Sequence, residues 1–166
     1  MRALTYGLFV VTAKENGLDN GCITNTVQQV TTSPNMITLA VNKDNYTHGM
    51  IMRTGEFCVS IISEKANFEV FKRFGFQSGA NVNKFDDYTQ AKRAENGLYY
   101  VTEGTNAYIC AKVISTVDFP THTLFIAEVT DGQSLTKDPS ATYAYYHSSI
   151  KPQPQKATKT VWRCTI

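Results

Sequence analysis

Short runs of β-branched and aromatic residues recur along this chain, punctuated by glycine, proline and asparagine. That pattern constrains the fold more than any other feature. Residues 6–13 (YGLFVVTA) read as a strand buried on both faces, since no polar position alternates with the apolar ones. Asn16-Gly17 and Asn20-Gly21 punctuate the turn that follows. Residues 22–32 form a second extended run, unusually polar, broken by Ser33-Pro34-Asn35. Residues 36–41 (MITLAV) and 57–62 (FCVSII) read as further strands. Alternation through residues 107–117 marks another strand, with residues 121–129 as its hairpin partner. Two short helices are expected, about residues 46–53 and 67–74. Asp44 or Asn45 is placed to cap the first. Phe68, Phe71 and Phe74 share one face of the second. Residues 75–96 are polar and irregular. Many short strands with few helices predict a mainly β domain, a small barrel or sandwich.

The 166 residues amount to one domain, and 42% apolar with 18% charged content is globular. A formal charge of +2 carries no signature of nucleic-acid binding. No apolar run approaches a bilayer span, and the apolar stretch near the start is too short for a signal-peptide core. The expectation is a cytoplasmic protein with neither nucleic-acid nor membrane partner. Cys22, Cys58, Cys110 and Cys164 show no close pair and no histidine at ligand spacing. Neither a metal site nor a disulfide scaffold is expected, and Cys58 and Cys110 read as core residues.

Two segments are suited to a phosphorylated ligand. The polar run presents Thr24, Asn25 and Thr26 in succession, neutral donors for a phosphate or a heterocycle edge, with Gln29 beyond them. The stretch Asn42-Lys43-Asp44-Asn45-Tyr46-Thr47-His48 lies where an apolar strand ends and a helix begins. Free amides and the helix dipole favour an anion there; Lys43 adds a cation and Thr47 a hydroxyl. The three histidines fit no nucleophile arrangement, and no glycine-rich phosphate loop or metalloprotease motif is present. No catalytic side chain is therefore assigned, and a cofactor that carries the reactivity itself would explain an active protein without one.

At these residues the chain resembles a known family. Tyr6-Gly7-Leu8-Phe9-Val10-Val11-Thr12, Gly21-Cys22-Ile23-Thr24-Asn25-Thr26, and the Asn42 to His48 stretch are similar to the flavin reductase-like, FMN-binding split-barrel proteins. The nearest branch is the flavoredoxin and high-molecular-weight rubredoxin type. Phe74-Gly75-Phe76-Gln77-Ser78-Gly79 with Asn83-Lys84-Phe85, the run from His122 to Val129, and Tyr143-Ala144-Tyr145-Tyr146-His147 match later family signatures. The resemblance spans roughly residues 4–150. It implies a six-stranded antiparallel Greek-key barrel and a homodimer binding FMN. It implies flavin contacts from Thr24, Asn25, Thr26, Gln29, Asn42, Lys43, Asn45, Thr47, Lys84 and His122. The chain departs from the family pattern at Gln29-Val30-Thr31 and at Asp44.

Residues 1–150 are thus expected to form the FMN-binding domain. Residues 151–166 read as a linker ending in Trp162-Arg163-Cys164-Thr165-Ile166, which resembles the truncated start of a rubredoxin segment. The expected function is an FMN-dependent oxidoreductase. It would take hydride from NAD(P)H and pass electrons to a rubredoxin or another acceptor. The alternative is a non-enzymatic FMN-binding module. A pyridoxamine-phosphate-oxidase-like barrel would need a more arginine-rich phosphate site than Asn42 to Thr47 offers.

Overall fold

The computed structural model describes residues 4–152. The rubredoxin-like reading of the tail, Cys164 included, lies outside the described residues. The strands are β1 (Phe9–Glu15), β2 (Leu18–Thr24), β3 (Val27–Thr32), β4 (Asn35–Asn42) and β5 (Glu56–Ile62). They continue as β6 (Ala91–Arg93), β7 (Tyr99–Val101), β8 (Thr105–Asp118) and β9 (His122–Ser134). Helix α1 (Tyr46–Thr54) joins β4 to β5, and α2 (Phe68–Gly75) follows β5. A short turn α3 (Tyr143–Tyr145) runs into a π-helical turn, Tyr146–Ile150. No helix among the described residues is long and apolar enough to cross a membrane.

Seven strands pair antiparallel in the order β2-β1-β5-β8-β9-β4-β3, and β6 and β7 form a separate ribbon. The two end strands of that order, β2 and β3, are consecutive in sequence and joined only by Asn25-Thr26. Their connection draws the edges together, so the sheet rolls into a barrel. Ala40 closes the seam: its N–H donates to the Thr26 carbonyl at 3.3 Å. Its own carbonyl accepts from the Thr26 hydroxyl at 2.7 Å and the Thr24 hydroxyl at 3.3 Å. The mainly β antiparallel architecture agrees with expectation, with seven strands in the sheet where six were expected. The polar run 22–32, read as one segment, is instead the end of β2 and the whole of β3.

Burial explains the patterns. Strand β1 is buried on both faces: Phe9, Val11 and Ala13 point into the barrel core with Leu39, Phe57 and Phe125. Val10 points outward, where with Leu8 it meets Val70, Phe71 and Phe74 of α2. Each such side chain contributes about 1.5–3 kcal/mol by leaving water. Strand β4 alternates, with Ile37, Leu39 and Val41 inward. Met50 and Ile51 of α1 enter the same core. Asn16 (φ 50°) and Gly17 (φ 81°) both have positive φ, as the tight hairpin between β1 and β2 requires. Asn20-Gly21 is not a turn. It lies inside β2, paired with Ala13 and Thr12. Glycine is needed there for close approach, since a Cβ would stand 3.1 Å from the Val11 carbonyl oxygen.

The cysteine expectation is half corrected. Cys58 and Cys110 are fully buried, as read, but they face each other across β5 and β8 and are joined as a disulfide. They are 52 residues apart, and only strand register brings them together.

Candidate functional site

A cleft of about 340 Å³ opens where β4 hands over to α1. One wall is the junction itself, Asn42 to Tyr46; another is the end of β2, Cys22 and Ile23. The third is Phe74 to Ser78, with Lys84 beneath.

Most junction amides are already engaged: the Lys43, Asn45 and His48 N–H groups donate to the Thr121, Asn42 and Asn45 carbonyls. Asn45 is the N-cap of α1, yet no side chain caps the helix. The expected Asp44 or Asn45 cap bond is absent, and just upstream the Asn42 carboxamide accepts from the Asp44 N–H at 2.9 Å. The positive end of α1 therefore faces the cleft without a side-chain acceptor.

Lys84 is the second element. It is only 2% exposed, although it belongs to an otherwise polar loop. Its Nζ donates to the Gly21 carbonyl of β2 at 2.7 Å and to the Phe74 carbonyl of α2 at 3.2 Å. Arg73 holds the loop from behind by donating to the Lys84 carbonyl at 2.9 Å. None of the ion pairs among the described residues includes Lys84. Burial pushes its pKa down, and the only opposing influence is the Cys22 thiol. A buried ammonium without a carboxylate is costly, and an anionic ligand relieves that cost.

Cys22 is buried and free. Burial pushes its thiol pKa up, against weaker pulls from Thr47, Lys84 and Asn45. It is held as the neutral thiol and is no nucleophile at neutral pH. Thr47 is fully buried behind the cleft, where its hydroxyl accepts from Asn20 Nδ2 at 3.0 Å.

Of the expected site residues, the structure brings Asn42, Asn45 and Lys84 together in the cleft lining. Thr24 and His122 stand one position away: Thr24 follows Ile23, and His122 pairs with Asn42 across β4 and β9. The Thr24 and Thr26 hydroxyls are engaged at the barrel seam, with Asn25 between them. Lys43 turns away from the cleft to pair with Asp118 at 2.7 Å. Gln29 is exposed on β3 and lines a separate apolar cleft of about 520 Å³ on the barrel flank. His48 packs against Phe125 and bonds the Thr123 hydroxyl at 2.8 Å. Burial, then the Lys43 charge, lowers its pKa, so its ring is neutral at pH 7. Sequence reasoning assigned no role to Cys22, Tyr46 or the Phe74 to Ser78 wall. The available signal was the Phe74 to Gly79 motif, which carries no residue type diagnostic of binding. Among the described residues no cluster of His, Cys, Asp and Glu is arranged to hold a metal.

The flavin reductase-like domain model matches residues 1–153. The chain belongs to the flavin reductase-like family. Flavin binding and oxidoreduction come with that family. Among its relatives is a high molecular weight rubredoxin of Moorella thermoacetica, 38% identical over 160 residues, covering 96% of this chain and 69% of that protein. A ferric-chelate reductase (NAD(P)H) of Archaeoglobus fulgidus is also 38% identical, covering 93% of this chain and 92% of its own. A solved NADH:FAD oxidoreductase of Streptomyces globisporus superimposes with TM-score 0.74 at 22% identity, covering 84% of this chain and 81% of that one. That likeness confirms the family barrel. The cleft lining presents a helix end, the Asn42 and Asn45 carboxamides and a buried cation, groups whose chemistry fits a phosphate.

Proposed function

We propose that this flavin reductase-like chain binds FMN in the cleft between β4, α1 and α2, takes hydride from NAD(P)H, and passes electrons to a rubredoxin or another acceptor. The observation that carries the reading is Lys84, a buried cation with no carboxylate partner among the described residues, at the floor of a cleft whose wall is an uncapped helix end. A single terminal phosphate matches one such cation, which favours the mononucleotide over FAD. The nicotinamide donor is supported by the relative named ferric-chelate reductase (NAD(P)H), and the acceptor by the relative named high molecular weight rubredoxin.

Bound flavin supplies the hydride-accepting ring. The chain's own residues bind and orient. Asn42 and Asn45 offer carboxamide donors at the junction, and the positive end of the α1 dipole adds its attraction for an anion. Lys84 has one ammonium proton beyond the two held by Gly21 and Phe74. The Cys22 thiol is neutral and the Thr47 hydroxyl is engaged; Asp44 and Lys84 are the charged side chains of the lining, and rate enhancement on this reading comes from placement and electrostatics. We also propose a homodimer. The apolar cleft on the barrel flank and the exposed Val30 and Ile114 support it.

The test is direct. The purified protein is titrated with FMN and with FAD, then mixed anaerobically with NADH and NADPH in a stopped-flow spectrometer. Stoichiometric FMN binding and rapid bleaching of the visible flavin absorption are the expected results. Failure to bind either flavin overturns the proposal. Binding without reduction by either nicotinamide identifies a flavin-binding module instead.

A further inference from the structure

The Cys58–Cys110 disulfide lies in a cluster of its own, apart from the main core. Ala94, Leu98 and Tyr100, from the β6–β7 ribbon and its turn, close over it together with Tyr108 of β8. Tyr100 stacks on Tyr108 with centroids 3.9 Å apart. On its other side the same ribbon meets the loop that carries Lys84. Tyr99 stacks on Phe85 at 4.8 Å, and Phe85 is the residue after Lys84. Arg93 lies over the Tyr99 ring and binds Asp19 of β2 at 2.8 Å. The ribbon is tethered to the barrel by the Val101 N–H donating to the Ser60 hydroxyl at 2.9 Å and by the Thr12 hydroxyl donating to the Tyr99 carbonyl.

We propose that Cys58–Cys110 is a reversible redox site whose reduction loosens the β6–β7 ribbon and, through Tyr99 and Phe85, the Lys84 wall of the cleft. Two unbonded sulfurs need van der Waals separation where a bond stood, and a fully buried site has no slack volume to supply it. The ribbon is the element free to yield, because its strands are only three residues long. The reductant is a dithiol, admitted when the ribbon opens locally, since both sulfurs are fully buried. One thiolate attacks a cysteine sulfur and forms a mixed disulfide, and the displaced cysteine takes a proton. The second reagent thiol then closes the reagent's own disulfide and releases the other cysteine as a thiol. Two electrons and two protons pass to the protein. The redox site stands on the sulfur pair and the ribbon; its effect on ligand rests on the flavin reading above.

Three measurements on the full chain test this. Alkylation of the unfolded, unreduced protein should label two of the four cysteines, and all four after dithiothreitol; four labelled at the outset overturns the redox site. Hydrogen exchange at Val101 and Thr102 should quicken at least tenfold on reduction; identical exchange in both states overturns the loosening. FMN affinity should fall at least threefold on reduction, and Cys110→Ala should match the reduced level and ignore dithiothreitol. Equal affinity in both states overturns the coupling to the cleft. If exchange responds while no flavin binds in either state, the redox site is upheld and the flavin reading is what fails.

Discussion

Lys84 reaches across 63 positions of sequence to donate its ammonium to the Gly21 carbonyl, 2.7 Å away. That bond fastens the irregular loop to β2, and the second, to Phe74, fastens it to α2. One charge therefore both assembles the cleft and sits in its floor. These two roles respond to mutation in different ways.

Lys84→Met keeps the stem and removes the charge. FMN affinity should fall at least tenfold, about 1.4 kcal/mol, while thermal stability changes little, relief of the buried charge being offset by the Gly21 and Phe74 carbonyls left without their donor. Fluorescence titration and a thermal melt check the two together. Unchanged affinity removes Lys84 from the site.

The pH dependence follows from the same group. Burial holds the Lys84 pKa below its ordinary 10.5, so the folded protein loses this proton at lower pH than the unfolded chain does. In the window between the two values the unfolded chain binds more protons, and Lys84's contribution to stability improves as pH rises. Flavin affinity moves oppositely. It declines as pH climbs through the folded-state value, because the neutral amine no longer attracts phosphate. Parallel titrations and melts in alkaline buffers should show the two curves diverging, and Lys84→Met should flatten both.

Thr47→Val tests the buried network behind the cleft. The Asn20 amide loses its acceptor, so unfolding free energy should drop by about 1–3 kcal/mol. Thr47→Ser should restore most of it. Denaturant melts of the pair decide whether the hydroxyl is structural, as the geometry shows, or a direct ligand contact whose loss falls on binding alone.

Lys43→Ala should leave FMN affinity within about twofold, since its ammonium pairs with Asp118 outside the cleft lining. That pair is exposed, and its removal should move the melting temperature barely at all. Asp118 is held below its usual carboxylate pKa chiefly by the hydrogen bond from Lys43. Its small stabilising effect is present at neutral pH and fades in acid as the carboxylate protonates. A large loss of FMN affinity in Lys43→Ala would return Lys43 to the site.

Local pattern alone determined much of this protein. The unbroken apolar run of β1 announced a strand covered on both faces, and the core and α2 do cover it. Asn67 and the Phe68, Phe71, Phe74 spacing placed α2, and the passage from β4 into α1 was recognisable as a strand handing over to a helix. Each of these depends on residues within a few positions of one another, where backbone geometry leaves few choices.

Other features were decided only when distant segments met. Nothing near Lys84 in the chain announces that its ammonium will be buried against Gly21 and Phe74. Cys58 and Cys110 become partners through the register of β5 on β8. Thr24 and Thr26, polar enough to suggest a ligand, have their hydroxyls bound to Ala40 because the barrel closes at that point. Asn20-Gly21 resembles a turn until Phe74 packs beside it. Hydrogen-bond partners and burial are properties of the closed sheet, and register between strands many residues apart is set by the packing of the whole core rather than by any local stretch.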